Sequence, residues 1–170
     1  MKKLIALMLC VLCLFSLAAC QSRAPAEGSA EAEGSAGLGM ANPFVDYGTL
    51  ADACAAAGFE MQAPDMIGDA AIDTIQVMND SMIQIVYADP NAEDGRITLR
   101  KAAGVDDISG DYNEYASVRT ADADGVTVTL RGEGETVSGA IWTANDASYA
   151  LQFDTPADEA TVLAIVGAVE

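Results

Sequence analysis

Short alternations of apolar and polar residues, separated by turn sequences, are the feature that most constrains how this chain can fold. A period of two places apolar side chains on one face of a sheet and leaves the other face solvated. The alternations cover residues 96–100, 126–131 and 148–153, and less regular strands fit Ile72–Met78, Met82–Ala88, Glu114–Ala121 and Thr136–Thr143. Turn pairs such as Asp124-Gly125 and Asn145-Asp146 favour hairpins between neighbours. We therefore predict an antiparallel meander sheet of about seven strands.

Two helices are predicted, one at each end of this run of strands. A capping box of Thr49 and Asp52 begins the first helix, and Thr155 is predicted to cap the second, with Pro156 in its first turn. Their apolar stripes comprise Leu50, Ala53, Cys54 and Ala57 in the first helix and Val162, Ile165, Val166 and Val169 in the second. Because only one sheet face is apolar, both helices are expected on that face. The predicted fold class is α+β.

The N-terminus has the features of a lipoprotein signal peptide. Lys2 and Lys3 precede an apolar run from Leu4 to Leu17, which is short for a permanent membrane span but typical of a signal peptide. The sequence Leu17-Ala18-Ala19-Cys20 resembles the bacterial lipobox, in which small residues suit the signal peptidase and the cysteine thiol is acylated. An ordinary secretory peptide with a chance cysteine is the alternative. We expect cleavage before Cys20, acylation of Cys20 by palmitate-like chains, and anchoring to the outer face of the bacterial cell membrane.

Three segments follow from this reading. Residues 1–19 are the predicted signal peptide, and residues 20–41 are the lipid-attached cysteine and a flexible linker, in which Ala-Glu-Gly-Ser-Ala occurs twice. A linker rich in small and polar residues does not bury enough apolar surface to fold. Residues 42–170 are predicted to form a single globular domain.

The charge balance excludes one class of partner. Removal of Lys2 and Lys3 with the signal leaves 6 basic residues against 26 acidic ones, which changes the formal net charge from −18 to −20. Such a chain repels phosphate backbones, so no nucleic-acid partner is expected. The expected partners are the membrane, through the lipid anchor, and an envelope protein or glycan of unknown identity.

Most catalytic constellations are missing from the sequence. The mature chain has no histidine, one lysine (Lys101) and one cysteine besides Cys20, namely Cys54 on the apolar stripe of the first helix. No Ser-His-Asp or Cys-His arrangement, histidine-bearing zinc site, phosphate-binding loop or dinucleotide motif is present. We predict no cofactor and no enzymatic activity, although a pair of carboxylates acting on a glycan stays open.

Oxygen-rich turns raise the question of calcium. Residues 89–95 resemble the start of an EF-hand loop, but the glycine is one position late, and residues 122–125 form another acidic turn. A third stretch contains the calcium candidates Asp106, Asp107, Asp111 and Asn113. The alternative is that Asp, Asn and Gly form tight turns there for backbone reasons, and the sequence favours that alternative.

Basic residues are concentrated in one part of this acidic chain. Five of the six in the mature chain lie between residues 96 and 131, on either side of a long connection that contains two tyrosines. If neighbouring strands pair as a meander, arginine side chains gather on the solvated face beside that connection, where they could bind an anionic or sugar-like ligand. The candidate ligand-binding residues are Arg100, Lys101, Arg119, Arg131, Tyr112 and Tyr115. The alternative is that these arginines pair with neighbouring carboxylates.

One motif carries a family resemblance. Arg100-Lys101-Ala102-Ala103-Gly104, followed by residues 107–113 with the sequence Asp-Ile-Ser-Gly-Asp-Tyr-Asn, resembles an uncharacterised domain of lipid-anchored proteins from Gram-positive bacteria. Related domains lie outside the membrane in anti-sigma-factor-like proteins. Residues 42–46, 81–85 and 136–143 are also similar. The resemblance implies an extracytoplasmic location and assigns no catalytic residue.

Two hypotheses of function follow. The first is a lipid-anchored, extracytoplasmic module that binds or senses a ligand of the cell envelope without catalysis. The second is a small enzyme that acts on cell-wall glycan through paired carboxylates or a bound calcium. A cleft containing two convergent carboxylates would favour the enzyme.

Overall fold

The computed structural model describes residues 42–89 and 95–169. The predictions for the signal peptide, Cys20 and the linker lie outside the described residues, as does most of the EF-hand-like stretch. The described elements are β1 (Phe44–Tyr47), α1 (Leu50–Ala57), β2 (Met66–Ile67), β3 (Ala70–Met78), β4 (Met82–Ala88), β5 (Ile97–Ala103), β6 (Ser117–Ala123), β7 (Val126–Glu133), β8 (Thr136–Ala144), β9 (Ala147–Asp158) and α2 (Glu159–Val166).

The α+β class and the antiparallel sheet are confirmed, but the strand number and order differ from a simple meander. Nine strands are described, in the order β1-β3-β4-β5-β9-β8-β7-β6, with β2 beside β3. Hairpins join β3 to β4 and β6 through β9, as the turn sequences predict. However, β5 pairs with β9 rather than with β6, because the connection over residues 104–116 is long enough to reach the far edge. Turn chemistry fixes sequential neighbours only where the loop is short.

The tight hairpins depend on residues that tolerate a left-handed backbone. Asp124 and Gly125 have φ of 52° and 91°, and Asn145 and Asp146 have φ of 51° and 60°. Positive φ at both central residues is typical of the type I′ turn, whose twist matches that of the strands. These residue types therefore set the β6–β7 and β8–β9 registers, in which Ala123 pairs with Val126.

One face of the sheet, here called the core face, packs against both helices. Directly opposed residues in neighbouring strands share a face, and the core face carries Val77, Ile83, Leu99, Tyr149, Leu151, Trp142 and Leu130. The buried side chains of α1 and α2 belong to the same apolar cluster. Cys54 is buried there, as predicted, and its thiol lies 3.9 Å from the Met61 carbonyl oxygen.

The helix caps agree with the sequence prediction at α1 and differ from it at α2. The Thr49 side chain accepts a hydrogen bond from the Asp52 amide, and Gly58 ends α1 with φ of 77°. Asp158, rather than Thr155, caps α2, because β9 continues to Asp158 by pairing with Thr136 at the start of β8. Neither helix described is long and apolar enough to cross a membrane.

Candidate functional site

Residues 104–116, here called the bridging loop, connect β5 to β6 across the face of the sheet opposite the helices. The first part of the loop is fixed to the sheet at two points. Ser148 of β9 donates a hydrogen bond of 3.0 Å to the Gly104 carbonyl, and Arg131 of β7 forms an ion pair of 2.8 Å with Asp107. Because β6 lies at the sheet edge while β5 lies near its middle, this connection runs past β9, β8 and β7 on the face that the helices leave uncovered.

Arg100 is the principal contact between the sheet and the bridging loop. Its guanidinium donates from Nη1 to the carbonyl oxygens of Ile108, at 3.2 Å, and Ser109. Its Nε donates to the Gln84 side chain at 2.7 Å. Gly110 has φ of 66°, and a Cβ atom there would lie 2.9 Å from Arg100 Nη1. The loop therefore has a glycine where the left-handed backbone disfavours a side chain and where Arg100 would have to shift to admit one.

A ladder of side-chain hydrogen bonds extends from Arg100 to the opposite edge of the sheet. Gln84 donates to Gln76 at 2.9 Å, and Gln76 donates to Asp46 at 2.7 Å. These residues lie directly opposite one another on β5, β4, β3 and β1. Each side-chain amide thus accepts a hydrogen bond from one neighbour and donates one to the next. The sheet therefore orients the Arg100 side chain independently of its contacts with the loop.

The acidic residues of the bridging loop form its turns. Asp107 accepts from the Ser109 amide at 2.9 Å, and the Ser109 hydroxyl accepts from the Asp111 amide at 3.2 Å. Asp111 in turn accepts from the amide and side chain of Asn113, at 3.0 and 2.8 Å, and from the Tyr115 hydroxyl. This succession of local side-chain-to-backbone bonds is typical of Asx turns.

These contacts shift the ionisation of the groups involved. Burial lowers the pKa of the Arg100 guanidinium. Burial alone would raise the pKa of Asp107, but hydrogen bonds from Ser109 and the ion pair with Arg131 outweigh it and lower that pKa. At Asp111, burial likewise acts to raise the pKa, but hydrogen bonds from Tyr115 and Asn113 outweigh it and lower the pKa. Both carboxylates are therefore stabilised in their charged forms.

The calcium candidates are arranged for these turns rather than around a common centre. Asp107, Asp111 and Asn113 direct polar atoms to partners within the loop or to Arg131, while Asp106 is exposed. Within residues 42–89 and 95–169, no three acidic or cysteine side chains are positioned to hold a metal ion. The geometry agrees with the turn-forming interpretation of this stretch.

The basic candidates do not gather in one patch. Arg100 and Arg131 lie on the bridging-loop face, but Lys101 and Arg119 lie on the core face. The Lys101 ammonium lies 5.1 Å from the centre of the Tyr149 ring, which stacks on Trp142. The prediction that the basic side chains gather on one face assumed a simple meander. Successive residues of a strand point to opposite faces, so Lys101 and Arg100 lie on different faces of β5.

Arg119 joins elements of the sheet edge instead of facing a ligand. It forms an ion pair of 3.0 Å with Glu159 at the start of α2. It also donates to the Ser117 hydroxyl and to the carbonyl oxygens of Gly134 and Glu135 in the β7–β8 turn. Every guanidinium nitrogen thus has a structural partner.

Two large side chains project from the fixed loop into solvent. Tyr112 is 96% exposed and Val105 is 74% exposed. Tyr115, by contrast, is half-buried, and its hydroxyl bonds to Asp111. Of the two predicted tyrosines, Tyr112 is therefore the one available to a partner.

A polar cleft, here called the loop cleft, lies beside the bridging loop. Its volume is about 390 Å³, and it is lined by Asn113, Glu114, Tyr115, Glu133, Thr136, Ser138 and Pro156. The cleft forms where pairing of β8 with β9 becomes irregular, between Val137 and Gly139. Such bulges redirect side chains and are frequent next to functional sites. Glu133 and Ser138 were not identified as candidate site residues from the sequence. The available signal was Gly139, because a glycine within a strand often marks a bulge.

A second depression, here called the core-face groove, lies between the β2 segment and α2. Two adjoining cavities of about 350 and 310 Å³ share Ile67, Gly68 and Thr161. Phe153 and Ile165 contribute to its apolar lining, and Met66 is exposed at its rim. The groove forms because α1 and α2 cover opposite ends of the core face.

Comparison with known proteins gives no match to a family model, to a curated protein or to a solved structure.

Proposed function

We propose that this chain is a lipid-anchored module of the bacterial cell envelope that binds an envelope protein or glycan without catalysis, with the bridging loop as its recognition surface. The observation that carries this proposal is the exposure of Tyr112 on a loop whose backbone is held by side chains of the sheet. Exposed aromatic residues supply a large contact area with few rotatable bonds.

The fixed backbone is the second support for this proposal. Ordering a flexible loop on binding costs free energy, and a loop that is already ordered avoids that cost. Arg100, Asp107 and Asp111 hold the bridging loop through hydrogen bonds that leave Tyr112 and Val105 free. A connection with only a topological role has no need to expose two large side chains.

The proposed location follows from Cys20 and the linker. Residues 20–41 would span about 25 Å as a flexible coil, and about 70 Å at full extension. The formal charge of −20 in the mature chain repels anionic headgroups, so the domain would stand away from the surface that anchors it. We expect Cys20→Ala to leave the protein either unprocessed or released from the membrane. Retention and cleavage in that variant, measured by fractionation and N-terminal sequencing, would contradict the anchor.

Binding is tested with Gram-positive envelope preparations and two matched variants. The probe is the mature chain with Cys20→Ser, sedimented with purified cell-wall sacculi and with envelope membranes. Tyr112→Ala should weaken sedimentation roughly tenfold, which corresponds to about 1.4 kcal/mol. Val45→Ala removes an apolar side chain that is 56% exposed on β1, at the opposite edge of the sheet, and should have no effect. Equal binding by both variants, or none by the parent chain, would contradict the proposal.

A hydrolytic function is the second candidate, and one observation favours it. Glu114 and Glu133 line the same cleft, as the two acids of a glycosidase do. If the cleft is hydrolytic, new reducing ends should appear on incubation with sacculi, and Glu133→Gln should abolish them. Intact glycan after prolonged incubation would contradict hydrolysis and leave binding as the proposed function.

A further inference from the structure

We infer that the loop cleft binds a neutral glycan chain, with Tyr112 as a stacking platform at its rim. This inference rests on the proposed function and specifies its ligand. The cleft volume of about 390 Å³ lies within the range typical of small-molecule sites, about 300–1,000 Å³.

The cleft presents hydrogen-bonding groups that the fold does not use. Within the described ranges, the carboxylates of Glu114 and Glu133 and the hydroxyl of Ser138 have no side-chain hydrogen bond or ion pair. Sugar hydroxyls donate to carboxylates, and a serine hydroxyl both donates and accepts. Two acceptors and a hydroxyl in one cleft therefore match a polyhydroxylated ligand.

The position of Ser138 supports the same assignment. Register on both sides of β8 shifts at this residue, because Val137 and Gly139 have partners in β7 and β9 that Ser138 lacks. The extra residue of a bulge turns its side chain away from the regular alternation. Ser138 is thereby free of the ladder and lines the cleft.

An anionic ligand does not suit the cleft. The nearest candidate cations are engaged: Arg131 by Asp107, Arg119 by Glu159 and turn carbonyls, and Arg100 by loop carbonyls. The lining contains two carboxylates and no basic residue. An anion would thus meet two like charges without a counter-charge, which disfavours binding.

Tyr112 adds a surface for the apolar side of a sugar ring. It precedes Asn113, which lines the cleft, and its ring is almost fully exposed. An aromatic face buries the C–H groups of a ring while the hydroxyl edge meets polar groups. A positively charged peptide would need the carboxylates but not the Ser138 hydroxyl, so the two ligand classes predict different variant effects.

The experiment is an NMR titration of the mature chain carrying Cys20→Ser, using neutral hexasaccharides of glucose, mannose, xylose and N-acetylglucosamine. At least one should shift the amides of residues 112–115 and 133–138. Glu133→Gln and Ser138→Ala should each weaken that binding at least fivefold. Glu135→Gln removes a carboxylate that lies next in the same hairpin but outside the cleft lining, and should bind like the parent chain.

The outcomes separate this inference from the proposed function. If no neutral hexasaccharide shifts these amides at millimolar concentration while sacculi or membranes still bind through Tyr112, the glycan assignment is overturned and the binding module stands. If a polylysine peptide binds and Ser138→Ala has no effect on it, the cleft recognises cations and the assignment is likewise overturned. If binding to envelope preparations does not depend on Tyr112, or is not observed at all, the proposed function itself is overturned.

Discussion

Arg100 illustrates what a sequence does and does not reveal about a single side chain. The alternation in β5 correctly places Arg100 on the face opposite Leu99, and the surrounding acidity suggests a pairing role. Its partners were not predictable, because the carbonyls of Ile108 and Ser109 reach it only through the tertiary path of the loop. Backbone acceptors leave no residue-type signal in a sequence. The same reason explains why Arg119, bound to turn carbonyls, looked like a ligand candidate.

Replacing Arg100 by alanine should destabilise the domain. The change removes donors to two loop carbonyls and to the buried Gln84 side chain, and hydrogen bonds from charged groups contribute about 1.5–3 kcal/mol. We expect the free energy of unfolding to fall by about 2–3 kcal/mol in urea denaturation. Arg96→Ala, at an exposed position, should change it by no more than about 0.5 kcal/mol. Equal stability of the two variants would show that Arg100 does not hold the loop.

Tyr112 should be dispensable for folding. Its side chain is 96% exposed, so Tyr112→Ala is expected to change the free energy of unfolding by less than about 0.5 kcal/mol. Thermal unfolding measured beside the sedimentation assay checks this. A substantially lower melting temperature would mean that lost binding reports misfolding rather than recognition.

At the scale of elements, the sequence predicted the strands and helices well but did not predict which distant strands pair. Period-two patterns and turn residues identified most strands and the tight hairpins, and apolar stripes of helical spacing identified both helices, because each of these signals depends on residues close in sequence. The β5–β9 pairing joins strands about fifty residues apart, which no local pattern specifies. For the irregular β8–β9 register that forms the loop cleft, the sequence offers one local sign, a glycine at position 139 within a strand, and no sign of which residues pair.

The bulge between β7 and β8 should tolerate no side chain at Gly132. A Cβ atom there would overlap the Thr136 carbonyl oxygen, which belongs to the backbone and has little freedom to move. Gly132→Ala should therefore cost about 3 kcal/mol in urea denaturation, as overpacking does. Gly139→Ala is the control, because its Cβ would lie at an ordinary 3.6 Å from the Leu151 carbonyl oxygen. A Gly132→Ala variant as stable as Gly139→Ala would contradict this register.

For the whole molecule, the bridging loop links ionisation to stability in a strongly acidic chain. The formal charge of −18 over the whole sequence makes most of its carboxylates repel one another. Asp107 and Asp111 are exceptions, since their contacts lower the pKa of each. A carboxylate whose pKa is lower in the folded state stabilises the fold above its unfolded value, about 3.9. That contribution is lost as the pH falls through the folded value.

The pH dependence is best measured as a difference between variants, which cancels the general charge repulsion. We expect Asp107→Asn to destabilise the domain at neutral pH. The gap in free energy of unfolding between parent and variant should shrink towards zero as the pH falls from about 5 through the lowered pKa of Asp107. A gap that stays constant down to pH 2 would show that the contacts of Asp107 with Ser109 and Arg131 do not lower that pKa.

The central claim is that residues 104–116 are a preformed recognition surface, and backbone NMR relaxation of the mature chain tests it directly. Sheet-like order parameters, about 0.85, are predicted for the amides of Val105 and Tyr112 before any ligand is added. The same amides should fall below about 0.6 in Arg100→Ala, while those of β7 and β8 stay unchanged. Order parameters below about 0.6 for the loop of the parent chain would contradict the account, because the loop would then have to be ordered by its partner.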